Sequence, residues 1–321
     1  MLIVQKFGGS SLHGVERLRQ SAAIIANAYR SGHRVCAVLS AQGDTTDELF
    51  RTAGEYNRHP SPREMDMLLS TGEQTSVALM AMTLEDMGLP AVSLTGWQAG
   101  IATDDSHGNA RIRQIDAGRI RKELAAGRIV LTAGFQGISP GQDITTLGRG
   151  GSDTSAVALA VALEADRCLI YTDVEGIFTA DPRLVKEARK LPAVDTGEML
   201  RLAALGSQVL HDRAAELALR ENLTLEVLSA LFPGPGTEIR TLPLPEDEVR
   251  LTALTRDRGT VSLVGSHLRL RASLGEEAVS ALRREGIAVL SLLQNDGRCS
   301  VTVAEEQSLA ALRILHRTFF P

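Results

Sequence analysis

The chain has 321 residues, of which 44% are hydrophobic and 3% aromatic, with a formal charge of −5 at pH 7. Length and apolar fraction allow one large or two moderate domains with a sizeable core, and exclude global disorder. The net negative charge and the scarcity of aromatic rings argue against a nucleic-acid backbone or a base-stacking partner.

The opening MLIVQKFGGSS lacks the basic region of a signal peptide and reads directly as a strand. Strands are expected at 2–6, 35–39, 91–94, 129–132, 167–171 and 225–228. Helical patterns lie between them at 15–30, 70–87, 113–126 and 152–163, with two more at 196–204 and 212–221. Strands alternating with helices of this length imply βαβ units, a mostly parallel sheet and an α/β fold. FPGPGTEIRTLPLPEDE then holds four prolines and reads as irregular linker. Beyond it, strands at 250–257, 259–265, 288–294 and 299–305 and helices at 276–285 and 307–317 make a small α+β unit. The resulting domains are 1–232, a linker 233–248, and 249–321. No apolar run approaches the ~20 residues that span a bilayer, so no membrane is expected as a partner. Cys36, Cys168 and Cys299 lie far apart in apolar runs, as buried thiols do in a reducing cytoplasm.

In a parallel sheet, ligands gather at the carboxyl ends of strands. The polar motifs fall there: KFGGSS after the first strand, SAQGDTTDE after the second, TAGFQG after the fourth and YTDVEGIFTADPR after the fifth. TTLGRGGSDTSA adds three glycines and five hydroxyls directly before an apolar helix, where free backbone N–H groups and the helix dipole favour an anion. Of the 34 basic residues only Lys6, Lys122, Lys186 and Lys190 are lysines. Lys6 is thus a singular choice at the end of a buried strand, where Gly8 and Gly9 free the neighbouring amides to help hold an anion.

Arg149 has a planar fork suited to a carboxylate. Asp153 opens the following helix, either as a dipole partner or as a group that orients a lysine or a metal. Glu73 stands in the first turn of an apolar helix, either as a cap or as the partner of an ammonium. With Arg149 it would recognise a zwitterionic amino acid. Asp173, Asp181 and Arg183 read equally well as turn residues or as ribose and phosphate contacts.

VQKFGGSS, VLSAQGDTTDEL, REMDMLLSTGEQTS, GNARI, AGFQG, TTLGRGGSDTSAVALA and YTDVEGIFTADPR together resemble the aspartate kinases of the amino-acid kinase family, over nearly all of residues 1–231. The resemblance implies a three-layer α/β sandwich and the transfer of a phosphoryl group from ATP to the side-chain carboxylate of L-aspartate. That reaction opens lysine, threonine and methionine synthesis. It also implies roles. Lys6, Gly8 and Gly9 hold ATP phosphates; Thr172, Asp173, Phe178, Asp181 and Arg183 belong to the nucleotide site. Ser40, Thr46, Glu73, Arg149 and Ser152 line the aspartate site, and Asp153 organises the phosphate-binding groups. Lys6, Asp153 and Arg149 are the catalytic candidates, with ATP and Mg²⁺ as cofactors and no metal ligand assigned within the chain.

Two departures stand out. GSQVLHDR has Gln208 where the family carries a lysine that assists at the nucleotide, a loss of about 1.5–3 kcal/mol if uncompensated. The C-terminal unit resembles a single composite ACT-like module where the family commonly has two, and its SHLRLRASLGEE loop lacks the usual Pro-Gly. A homodimer through that module is expected, with weak feedback by lysine or threonine. The rivals are acetylglutamate, glutamate 5- or uridylate kinase within the same fold, and a weakened pseudo-kinase acting as a regulatory subunit.

Overall fold

A computed structural model describes residues 1–207 and 209–321. The chain forms two compact units, 1–175 with 223–235, and 176–222 with 236–321.

The first unit opens with β1 (Leu2–Phe7), α1 (Gly9–Leu12), α2 (Gly14–Arg30) and β2 (Arg34–Leu39). Three helices follow, α3 (Thr45–Tyr56), α4 (Pro62–Leu69) and α5 (Thr71–Asp86), then strands β3 (Ala91–Leu94), β4 (Ile101–Thr103) and β5 (Ile112–Ile115). After α6 (Gly118–Ala125) come β6 (Ile129–Ala133), β7 (Gln136–Ile138) and β8 (Ile144–Thr146). The run closes with α7 (Gly151–Leu163) and β9 (Arg167–Thr172).

The second unit begins with β10 (Ala193–Asp195), α8 (Thr196–Ala204) and α9 (Asp212–Arg220). β11 (Leu225–Ser229) returns to the first unit. The second unit resumes with β12 (Thr237–Arg240), β13 (Arg250–Asp257), β14 (Thr260–Ser266) and α10 (Leu274–Arg284), and ends with β15 (Ser291–Gln294), β16 (Arg298–Thr302) and α11 (Ser308–Phe319).

In the first unit β11, β9, β1, β2, β6 and β3 run parallel in that order. Apart from half-buried Lys6, β1 is buried throughout, as strands covered on both faces require. α7 is apolar on all sides and ten of its residues are buried, which marks a helix enclosed by its surroundings. α2 and α5 bring Ile25, Ala26, Met80 and Leu84 onto Leu39 and Leu131 in one core. A second, small sheet, β5–β4–β7–β8, stands beside it. It supplies the hairpin that leads into TTLGRGGSDTSA.

The second unit holds the antiparallel sheet β13–β14–β16–β15, whose core joins Leu263, Val301, Leu282 and Leu315. β10 and β12 pair parallel.

Three local expectations change. The 113–126 segment is not one helix: Ile112–Ile115 pair with β4, and helix begins at Gly118, whose N–H is taken by Asp116 Oδ1 at 3.0 Å. The proline-rich stretch is not irregular throughout. Within it Thr237 and Ile239 are buried on alternate positions of β12, and the Thr237 hydroxyl donates to Leu191 O at 2.6 Å. Finally, α3, α4 and the short strands β4, β5, β7 and β8 were not expected, since strands of three or four residues carry too little alternation to register. Among the described residues no helix is long and apolar enough to cross a membrane.

Candidate active site

The first unit gathers a charged pair at the end of β1. Lys6 Nζ lies 2.6 Å from Asp153 Oδ1, both side chains being mostly buried. Asp153 stands in the first turn of α7, so the ammonium sits where the helix already favours an anion. Gly8 and Gly9 follow Lys6 after Phe7. Gly8 N–H donates to Tyr171 O at 3.2 Å, and Gly43 N–H donates to Gly9 O at 2.9 Å. A Cβ on Gly9 would lie 2.7 Å from Ala41 O, which is why the position takes no side chain. Ser40, half-buried at the end of β2, donates its N–H to Phe7 O at 3.1 Å. Thr46 is half-buried in the first turn of α3.

Glu73, in the first turn of α5, is buried. Its Oε1 accepts the N–H of Ala41 at 2.9 Å, whereas Oε2 is buried with no hydrogen-bond partner among the described residues. Burial raises the carboxyl group to about 7, and the hydrogen bond from Ala41 only partly opposes that. A buried acid with one unused oxygen suits a cationic ligand better than a helix cap.

Arg149 is exposed between Gly148 and Gly150, at φ of 76° and 67°. Both glycines occupy the left-handed region, which turns the chain from β8 into α7. Ser152 and Asp153 are buried just inside the helix. Phe135, in AGFQG, is also left-handed, at φ 67°. Its N–H donates to Ser155 Oγ at 3.1 Å and its carbonyl accepts Leu147 N–H at 2.8 Å, so the strained turn is held from both sides.

The nucleotide candidates divide between the units. Thr172 and Asp173 close β9 in the first, where the Thr172 hydroxyl donates to Asp173 Oδ1 at 3.2 Å. Phe178, Asp181 and Arg183 belong to the second. There Arg183 grips Asp181 through Nε and Nη2, at 3.0 and 2.8 Å, and these hydrogen bonds hold the Asp181 carboxyl below its usual range. Gln208 lies outside the described residues. Among the described residues no three His, Cys, Asp or Glu side chains converge as a metal site.

One polar group was missed by sequence reasoning. Asp66, in α4, is completely buried and accepts hydrogen bonds from three directions. The available signal was an acid set inside the apolar run MDMLL.

Residues 1–229 match the family described as the amino acid kinase family, and the chain belongs to it. Within that family its relatives are aspartokinases. It is 49% identical over 298 residues to the aspartokinase of Geobacillus stearothermophilus, across 92% of this chain and 72% of that one. It is 55% identical over 238 residues to the aspartokinase of a Bacillus strain, MGA3, across 74% of this chain and 58% of the relative. The chain therefore spans between about half and three quarters of these relatives' lengths. E. coli aspartokinase III, solved in complex with aspartate and ADP, shares the fold at a TM-score of 0.85 and 22% identity, with both chains fully covered.

Proposed function

We infer that the protein is an aspartate kinase, transferring the terminal phosphoryl group of ATP to the side-chain carboxylate of L-aspartate to give 4-phospho-L-aspartate and ADP. One observation carries the assignment: the Lys6 ammonium held 2.6 Å from Asp153 at the amino end of α7. A carboxylate nucleophile is already ionised at neutral pH and needs no general base. The protein's task is to align it with the phosphorus and to offset charge on the transferring group.

Lys6 and the amide of Gly9 meet the phosphates, Gly8 shapes the turn between them with its own N–H on Tyr171 O, and Asp153 keeps the Lys6 ammonium in place between turnovers. Magnesium enters with the nucleotide as Mg·ATP, part of the substrate. Glu73 Oε2 receives the α-ammonium of aspartate and Arg149 its α-carboxylate. Ser40, Thr46 and Ser152 supply hydroxyls along the bound amino acid. Thr172, Asp173, Phe178, Asp181 and Arg183 serve the nucleotide.

The C-terminal antiparallel sheet with α10 and α11 acts as an ACT-like module through which two copies pair. The enzyme works in the cytoplasm at the head of lysine, threonine and methionine synthesis.

ADP release, measured with Mg·ATP and a panel of acceptors, tests the assignment. Turnover with L-aspartate is expected. Preference for N-acetylglutamate, glutamate or UMP would move the protein to another branch of the family. No acceptor-dependent turnover at stoichiometric enzyme would favour the regulatory subunit that the substitution at Gln208 suggests.

A further inference from the structure

We propose that Asp66 is a positioning residue for the amino-acid substrate, locking the arginine-bearing turn at Arg149 to the helix pair that carries Glu73. Asp66 touches none of the groups assigned to chemistry, yet its carboxylate is fully buried and almost saturated with donors. Gly108 N–H reaches both oxygens, at 3.1 and 3.0 Å. His107 Nδ1 lies 2.8 Å from Oδ2, and the Thr146 hydroxyl donates to Oδ1 at 2.5 Å. Burying a carboxylate is costly unless it is met in this way, so the three partners are held as firmly as the acid is.

Each partner leads toward the substrate groups. Thr146 ends β8, three residues before Arg149. Its carbonyl accepts Ala110 N–H at 2.9 Å, which closes the 107–110 turn onto the strand. That turn then forms the floor under Gly148: a Cβ there would lie 2.9 Å from Asn109 Oδ1 and 3.2 Å from Gly108 O. On the other side, α4 passes through Ser70 into α5, which carries Glu73 seven residues after Asp66. A second tie runs parallel to the first, as Gln136 Nε2 donates to Ser70 O at 2.9 Å from the strand paired with β8. Asp66 and Ser70 therefore fasten one sheet hairpin to one helix junction. Glu73 extends from the junction and Arg149 from the hairpin, and the proposed substrate is a zwitterion that must reach both at once.

The inference rests on the aspartate assignment above, and the test separates the two. Asp66→Asn keeps the size of the side chain but places an NH₂ against groups that themselves donate. It is expected to raise KM for aspartate at least tenfold, with KM for ATP changed less than twofold and kcat less than threefold. Thr146→Val, which deletes one donor without adding another, should shift KM for aspartate in the same direction, and Thr146→Ser should restore it. This pair stands if Asp66→Asn fails to fold. Unchanged KM for aspartate in Thr146→Val, or equal shifts in both Michaelis constants, would overturn the positioning role while leaving the kinase assignment intact. A wild-type chain without aspartate-dependent turnover would remove both.

Discussion

A carboxyl group that titrates near 7 beside a substrate ammonium couples aspartate binding to pH. In the free enzyme burial holds Glu73 at about 7, so near neutrality a large fraction of it is protonated. An ammonium seated against Oε2 stabilises the charged form and pulls the pKa down, so binding expels a proton. KM for aspartate should therefore fall as pH rises from 6 to 8. Glu73→Gln should weaken binding and flatten that slope; a slope that survives the substitution would assign the titration to another group. Two further substitutions bear on charge. Lys6→Ala removes phosphate neutralisation and should cost about 10²–10³ in kcat, on the scale of losing one donor that meets transition-state charge. Arg149→Lys keeps the charge but loses the planar fork, so single-turnover assays should show the loss mainly in KM for aspartate. Lys6, Gly9, Glu73 and Arg149 were legible in the sequence because glycine pairs and isolated charges at strand and helix ends are unusual. Asp66 was not, because one acid in MDMLL gives no sign of whether it faces water or three donors from distant segments.

At the scale of elements, the backbone crossing between the first two strands is the tightest point near Lys6. A methyl group on Gly9 would press on Ala41 O at 2.7 Å and Gly43 O at 3.2 Å, and a carbonyl in a hydrogen-bonded loop yields only by moving backbone. Gly9→Ala should destabilise by about 1–3 kcal/mol and lower kcat/KM for ATP. Gly54→Ala is the control: Gly54 lies in α3 with no atom within 4 Å of an added Cβ, so the change should be neutral or stabilising by up to about 1 kcal/mol. Thermal melts of the two variants read the contrast, and equal melts would show that the Gly9 loop can relax. The six parallel strands of the first unit were readable because each is a short run rich in apolar residues. β5 was mistaken for the start of a helix, because IRQI has no decisive period and its partner β4 is only three residues long. What sets it as a strand is antiparallel pairing to β4, a non-local contact.

For the whole molecule, local periodicity shows where elements lie but not which of them share a core. Residues 176–222, expected within a 1–232 domain, group by compactness with the segment that holds the C-terminal sheet. Ala180 and Val185 pack in the same core as Leu263, Leu312 and Leu315, and buried His316 Nε2 lies 2.9 Å from Thr179 Oγ1. Such packing joins segments roughly 80 to 140 residues apart and has no signature in either segment alone.

The expectation of weak feedback by lysine or threonine rests on this same unit. Gln294 and Asn295 are the polar pair that the hairpin from β15 to β16 offers an effector. Gln294 is already spent: its Oε1 accepts Gly275 N–H at 2.9 Å and its Nε2 donates to Leu268 O and Arg271 O at 3.0 Å. Asn295 Oδ1 accepts the N–H groups of Gly297 and Arg298, closing the hairpin into β16. With Gln294 and the Asn295 side-chain oxygen engaged, an amino-acid effector finds few polar groups to exchange there and gains little differential affinity between two states, and inhibition requires such a difference. Lysine or threonine at millimolar levels should leave ADP release almost unchanged, and cooperative inhibition by either would refute this account. What β15 does offer is an edge. It is the last strand of its sheet, and Leu290, Leu292 and Leu293 are exposed along it. An apolar edge left open is an aggregation hazard, and pairing with the same edge of a second copy removes it. Sedimentation should find a dimer at micromolar concentration, and Leu293→Arg should convert it to a monomer that retains aspartate-dependent turnover. A variant that stays dimeric would move the interface away from β15.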